Sequence, residues 1–113
     1  MVIRARATAL VLPVLGLLAA GCASLEGARL YARGTDALER GELGPAIVAL
    51  ERAASLVPEA SEVHNHLGLA YARSGREGEA LRQFERAVEL DCDNEAALHN
   101  LAAAQRRAER GGP

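Results

Sequence analysis

Aromatic residues make up only 3% of this 113-residue chain, as two Tyr, one Phe and no Trp. Half the residues are hydrophobic nonetheless, so any core must be filled mainly by Ala and Leu. That composition suits closely packed helices and offers little to a β-sheet. Lysine is missing altogether, and arginine supplies every fixed cation; the pattern reads as compositional bias, not as a function. The length allows at most one small domain. No stretch has the layout of an activated nucleophile, a phosphate loop, a zinc site or paired catalytic carboxylates. The chain is therefore expected not to be an enzyme, with no cofactor and no metal.

What is present is a long internal period, equal to the interval from Gly34 to Gly68. The same shift pairs Gly41 with Gly75 and Gly44 with Gly78. It also pairs Ala46 with Ala80, Leu50 with Phe84, Ala53 with Ala87 and Leu56 with Leu90, and Glu51-Arg52 recurs as Glu85-Arg86. Leu98 and Leu101 fall at the places of His64 and Leu67, opening a third unit. Within the stretch 61–94, Leu67, Ala70 and Tyr71 share one helical face, and Gly75 breaks the pattern. Ala80, Leu81, Phe84, Ala87, Val88 and Leu90 share the next. Small Gly68 and Ala80 would each let a neighbouring backbone come close. Two helices cannot bury such faces alone, so a fixed period of this kind marks a helical solenoid.

These residues resemble the tetratricopeptide repeat, whose pattern is an aromatic, Leu-Gly, Tyr, Ala, an aromatic and a closing Pro. Leu67-Gly68, Tyr71, Ala80 and Phe84 match it at the right spacing, with His64 in place of Trp and Cys92 in place of Pro. The earlier copy keeps Gly34, Ala46, Ala53 and Pro58, but has Ala37 for Tyr and Arg33 for Leu. The resemblance implies an all-α, short right-handed α-solenoid of about two and a half units. Unit one spans 27–60 and unit two 61–94, followed by a terminal solvating helix over 95–110 and a disordered tail over 111–113. Helices are expected over 26–40, from about Pro45 to Leu56, near 60–73, 77–90, and from Glu95 to about Arg110. Pro45 suits a first helical turn, Asp93 or Asn94 suits the last helix's N-cap, and Ala102, Ala103 and Ala104 would leave a modest apolar surface.

The segment 1–21 reads as a secretory signal peptide: Arg4 and Arg6, an uncharged apolar run from Ala7 to Ala20, then Gly21-Cys22. Leu18 to Cys22 resembles a bacterial lipobox, which implies cleavage before Cys22 and a covalent lipid on its thiol, with 22–26 as a short tether. Ala23 after the cysteine resembles lipoproteins sent to the outer membrane, facing the periplasm. An uncleaved transmembrane anchor is the alternative, since Ala7 to Leu25 is nearly long enough to span a bilayer. Without Arg4 and Arg6, 11 arginines face 15 acidic residues, a net charge near −4. No basic patch of nucleic-acid type exists, and attachment to a membrane would fall to the lipid.

The tetratricopeptide resemblance places a peptide groove on the first helix of each unit. Carried over, its positions are Ala28, Tyr31, Thr35, Leu38 and Glu39, then Glu62, Asn65, Leu69, Ala72 and Arg73. The last helix adds Ala96, His99, Ala103, Arg106 and Arg107. The residues expected to meet a peptide are Tyr31, Thr35, Glu62, Asn65, Leu69, Arg73, His99 and Arg106, with Asn65 bonding its backbone and the arginines its acidic side chains. The carboxylate clamp of some family members is not expected, because Tyr31, Thr35, His66 and Ala96 occupy its places. His64 and His66 point in different directions and read as structural or surface residues. Cys92 reads as a small residue filling the turn that Pro58 fills one repeat earlier, with a disulfide-linked dimer as the alternative. The expected role is a membrane-anchored adaptor or assembly factor for an envelope complex; the alternative is a self-associating envelope scaffold.

Overall fold

The computed structural model describes residues 8–111, and of 8–20 the backbone alone. Among the described residues there are five helices and no strand: α1 (Thr8–Glu39), α2 (Leu43–Leu56), α3 (Ser61–Arg73), α4 (Glu77–Leu90) and α5 (Glu95–Arg110). This is an all-α helical repeat solenoid, with each helix packed on the next and α3 also touching α1 and α5. Elements α2 to α5 fall where the periodicity puts them. The first helix differs, because residues 22–26 continue it instead of forming a tether. The basic start at Arg4 and Arg6 lies outside the described residues, as do the side chains of the apolar run. Among the described residues, no helix is long and apolar enough to cross a membrane.

The turn inside each unit is set by glycine. Gly41 and Gly75, one period apart, have φ of 74° and 80°, the left-handed region that a Cβ disfavours. Each closes its helix alike: Glu42 N–H donates to the Ala37 carbonyl and Arg76 N–H to the Tyr71 carbonyl, both at 2.9 Å. A left-handed residue with such a bond is how a helix satisfies its last carbonyls before turning. The final helix is capped by Asn94, whose side-chain oxygen accepts from Ala97 N–H at 3.0 Å. Its amide also donates to Ser61 Oγ at 2.8 Å, and that hydroxyl donates to the Ala87 carbonyl at 2.9 Å. One residue thus ties the third unit to both helices of the second.

Packing within a unit rests on a large side chain seated against a glycine. A Cβ on Gly68 would lie 2.6, 2.7 and 3.0 Å from three ring atoms of Phe84, and one on Gly34 would lie 2.6 Å from Leu50 Cγ. Phe84 and Leu50 are the largest fully buried side chains. Around them Ala46, Ala53, Ala70, Ala80, Ala87 and Ala97 are completely enclosed. Alanines here let helices approach closely, which offsets the shortage of rings. Ala104 joins the core, so the apolar strip expected on α5 shrinks to half-buried Ala102 and Ala103, while Leu98 stands 41% exposed. Cys92 is exposed as well, because the inter-unit turn lies at the surface, where Pro58 is also exposed. It fills no packing role.

Tyr71 joins the units. Its hydroxyl donates to Glu51 Oε1 on α2 at 2.5 Å, and the Arg76 guanidinium sits 4.5 Å from its ring centre, a cation–π arrangement. Burial first, and then the bond to the Glu51 carboxylate, push the Tyr71 hydroxyl up to about 12.

Two outcomes are expected. Gly68→Ala should lower stability by about 1–3 kcal/mol through overpacking, although alanine favours a helix by about 1 kcal/mol. Gly78→Ala, where an added Cβ meets only the end of Arg82 at 3.8 Å, should be neutral or stabilising by up to about 1 kcal/mol; urea unfolding reads both signs. Because the folded state holds Tyr71 protonated, its contribution is complete below the ordinary tyrosine range and disappears between pH of about 10 and about 12. The difference in melting temperature between the native chain and Tyr71→Phe should therefore narrow across that window.

Candidate functional site

Helix α3 carries a stripe at helical spacing: Glu62, His66, Leu69 and Arg73. It runs about 16 Å at ~1.5 Å per residue, with Leu69 and His66 half-buried and the two charged residues exposed or nearly so. Leu69 and Arg73 line two adjoining cavities. The first, about 380 Å³, lies toward α1 and is closed by Thr35, Leu38, Glu39 and His66. The second, about 340 Å³, lies toward α5 and is closed by Ala72, Glu77, Phe84, Asn100, Ala103 and Arg107. The first helices of three successive units thus form the walls of one groove, with Leu69 as the apolar step between its halves.

Contacts between those helices fix its shape. Tyr31 and His66 meet edge to face with ring centres 5.4 Å apart. The Tyr31 hydroxyl and the Glu62 carbonyl lie 3.2 and 3.0 Å from His66 Nδ1. Both are met by a ring whose Nδ1 carries the hydrogen, leaving Nε2 as an acceptor. Arg73 Nη1 donates to the Leu38 carbonyl at 3.2 Å, a second bond to an oxygen that also accepts from Gly41 N–H at 3.1 Å. Arg107 pairs with Glu77 at 3.1 Å. The groove's charges are therefore mixed: Arg73 and Arg107 stand among Glu39 and Glu77.

The expected site residues divide. Thr35, Leu69 and Arg73 line the groove, whereas Tyr31 and Glu62 line a third cavity with Val57 and Val63. Thr35 Oγ donates to the carbonyls of its own helix at Tyr31 and Ala32 and offers a ligand its lone pairs only. Asn65, expected to bond a peptide backbone, is instead 4% exposed, and its side-chain oxygen accepts from Asn100 Nδ2 at 2.9 Å. Asn100 is the asparagine at the cavity wall, and periodicity missed it. His99 and Arg106 are exposed but line neither cavity; Arg107 does. Cys22 is exposed on α1. His64 is a buried link, with Nε2–H donating to the Pro58 carbonyl at 2.9 Å and Nδ1 2.8 Å from the Gln83 carboxamide. Among the described residues, no three His, Cys, Asp or Glu side chains gather as metal ligands would.

Residues 61–94 match the family model of the tetratricopeptide repeat. No curated protein matches the chain. The matched segment begins with α3, ends in the cap of α5 and contains the Gly68–Phe84 seat. Its likeness to that repeat, inside an all-α repeat array, points to a protein–protein interaction module.

Proposed function

We propose that this protein is a membrane-anchored adaptor or assembly factor of the bacterial cell envelope, which holds a partner's peptide segment in the groove along α3. The observation that carries the groove is the sharing of Leu69 and Arg73 by two adjoining cavities on one face. Together they give an apolar step and hydrogen-bonding groups, the mixture that peptide recognition uses. Leu69 and Ala72 receive apolar side chains, while Asn100 and Arg73 meet backbone or acidic groups. No cofactor takes part.

Anchoring rests on the lipobox-like segment that ends at Cys22. Its thiol is exposed on α1, as an acylation target must be, and the covalent lipid would place the groove in the periplasm at the outer membrane. Several acyl chains, at roughly 0.8 kcal/mol per buried methylene, hold a protein there stably. A second reading is self-association of an envelope scaffold. It is favoured by Leu98 on α5, 41% exposed at the position where the second unit places buried His64.

One experiment addresses all of this: cross-linking of the native protein in its own envelope, with mass spectrometry of what is extracted. The expected product lacks residues 1–21, carries added lipid and is joined to one dominant foreign protein. Leu69→Arg, with helicity checked by circular dichroism, should reduce that capture at least tenfold. An intact Met1 start contradicts the lipid anchor. Capture of only its own copies, unaffected by Leu69→Arg, contradicts the adaptor and supports the scaffold.

A further inference from the structure

A third cavity, about 370 Å³, opens beside the second half of α1, away from Leu69 and Arg73. Ala28 and Tyr31 form one wall, and Val57 and Val63 the other. Gly27 makes the cleft narrow at its back, since a Cβ there would lie 3.1 Å from Val57. The only charged groups on the lining are Glu59 and Glu62. Both are exposed, and neither is in an ion pair among the described residues.

This sets the cavity apart. The two central cavities each combine arginine with glutamate, so their charges largely cancel. Here two carboxylates flank an apolar cleft without a cation on the wall. The uncompensated field is felt nearby: burial first, and then the Glu62 charge, raise the Tyr31 hydroxyl above its ordinary range. An occupant must therefore bring an apolar group for the walls and a positive charge for the rim. The volume lies near the lower end of the roughly 300–1,000 Å³ range of ligand sites, enough for one large side chain with its flanking backbone. A phospholipid headgroup fits poorly, because its phosphate would face both carboxylates.

We propose that this cleft is a separate docking site for a segment of a partner protein in which an apolar side chain stands next to Lys or Arg. The apolar side chain enters between Val57 and Val63, and the cation bridges Glu59 and Glu62. The site is independent of whether the central groove takes a peptide.

The test is selection of a displayed library of random dodecapeptides on the full chain in mild detergent, followed by affinity measurement of the retained peptides. Retained sequences are expected to be enriched in an apolar–Lys or apolar–Arg pair. Their binding should fall about tenfold in Glu59→Gln/Glu62→Gln, two rim ion pairs of ordinary strength, and weaken with added salt. Circular dichroism of that variant should be unchanged, since neither carboxylate is in an ion pair among the described residues and the first-turn charge of Glu62 adds at most about 1 kcal/mol to α3. Retained peptides without a basic residue, equal affinity for the variant, or no retained peptide at all would overturn the proposal. Binding of phosphatidylethanolamine vesicles that depends on the two glutamates would overturn it in favour of a lipid. Concentration-dependent dimerisation abolished by the variant would overturn it in favour of a second copy.

Discussion

A phenylalanine ring resting on a bare stretch of helix backbone holds the second unit together. Gly68 provides the bare patch, Phe84 the ring, and neither tolerates much change because the ring has backbone on one side and enclosed alanines around it. Gly34 and Leu50 repeat the arrangement one unit earlier with a smaller side chain. In a chain with only three aromatic residues, close helix approach supplies the dispersion contacts that rings would otherwise supply. The angle between paired helices follows from this seat, and the angle decides how successive first helices line up.

That line-up makes the groove. Core positions repeat at the interval from Gly34 to Gly68, whereas most groove contacts reach one position further. They join Tyr31 with His66, Asn65 with Asn100, and Arg73 with the carbonyl of Leu38. The extra position reflects the offset between one unit's first helix and the next. Polar groups between units are thus used to fix neighbours, and only what remains faces a ligand. Surface pairs such as Arg86–Glu89 at 3.2 Å, with both partners largely exposed, add little to stability.

Periodicity made most of the fold legible. Glycines at 41 and 75 mark the turns, the Ala and Leu positions mark the buried faces, and four of the five helices start and end within a few residues of expectation. The first helix was harder to read, because a tether and a helix continuation are both compatible with the short sequence Ala23-Ser24-Leu25-Glu26-Gly27. The groove was legible in part. The positions carried over from the tetratricopeptide resemblance include Leu69 and Arg73, which line both central cavities, but they do not pair Asn65 with Asn100, which meet only through the longer offset. Asn65, expected to face a peptide, is therefore buried, and its partner Asn100 carries no mark in the repeat pattern. Cys92 departs from expectation for a related reason: its counterpart Pro58 sits in a turn without being buried in it.

The seat of Phe84 on Gly68 is tested most directly by a double-mutant cycle of Gly68→Ala and Phe84→Leu, read by urea unfolding. Leucine removes ring atoms that an added Cβ would strike, so the loss in the double variant should be smaller than the sum of the single losses. A coupling of roughly 0.5–3 kcal/mol is expected for residues in such contact. Additive losses, within about 0.3–0.5 kcal/mol, would show that the ring does not rest on that glycine and would remove the basis for the groove's geometry.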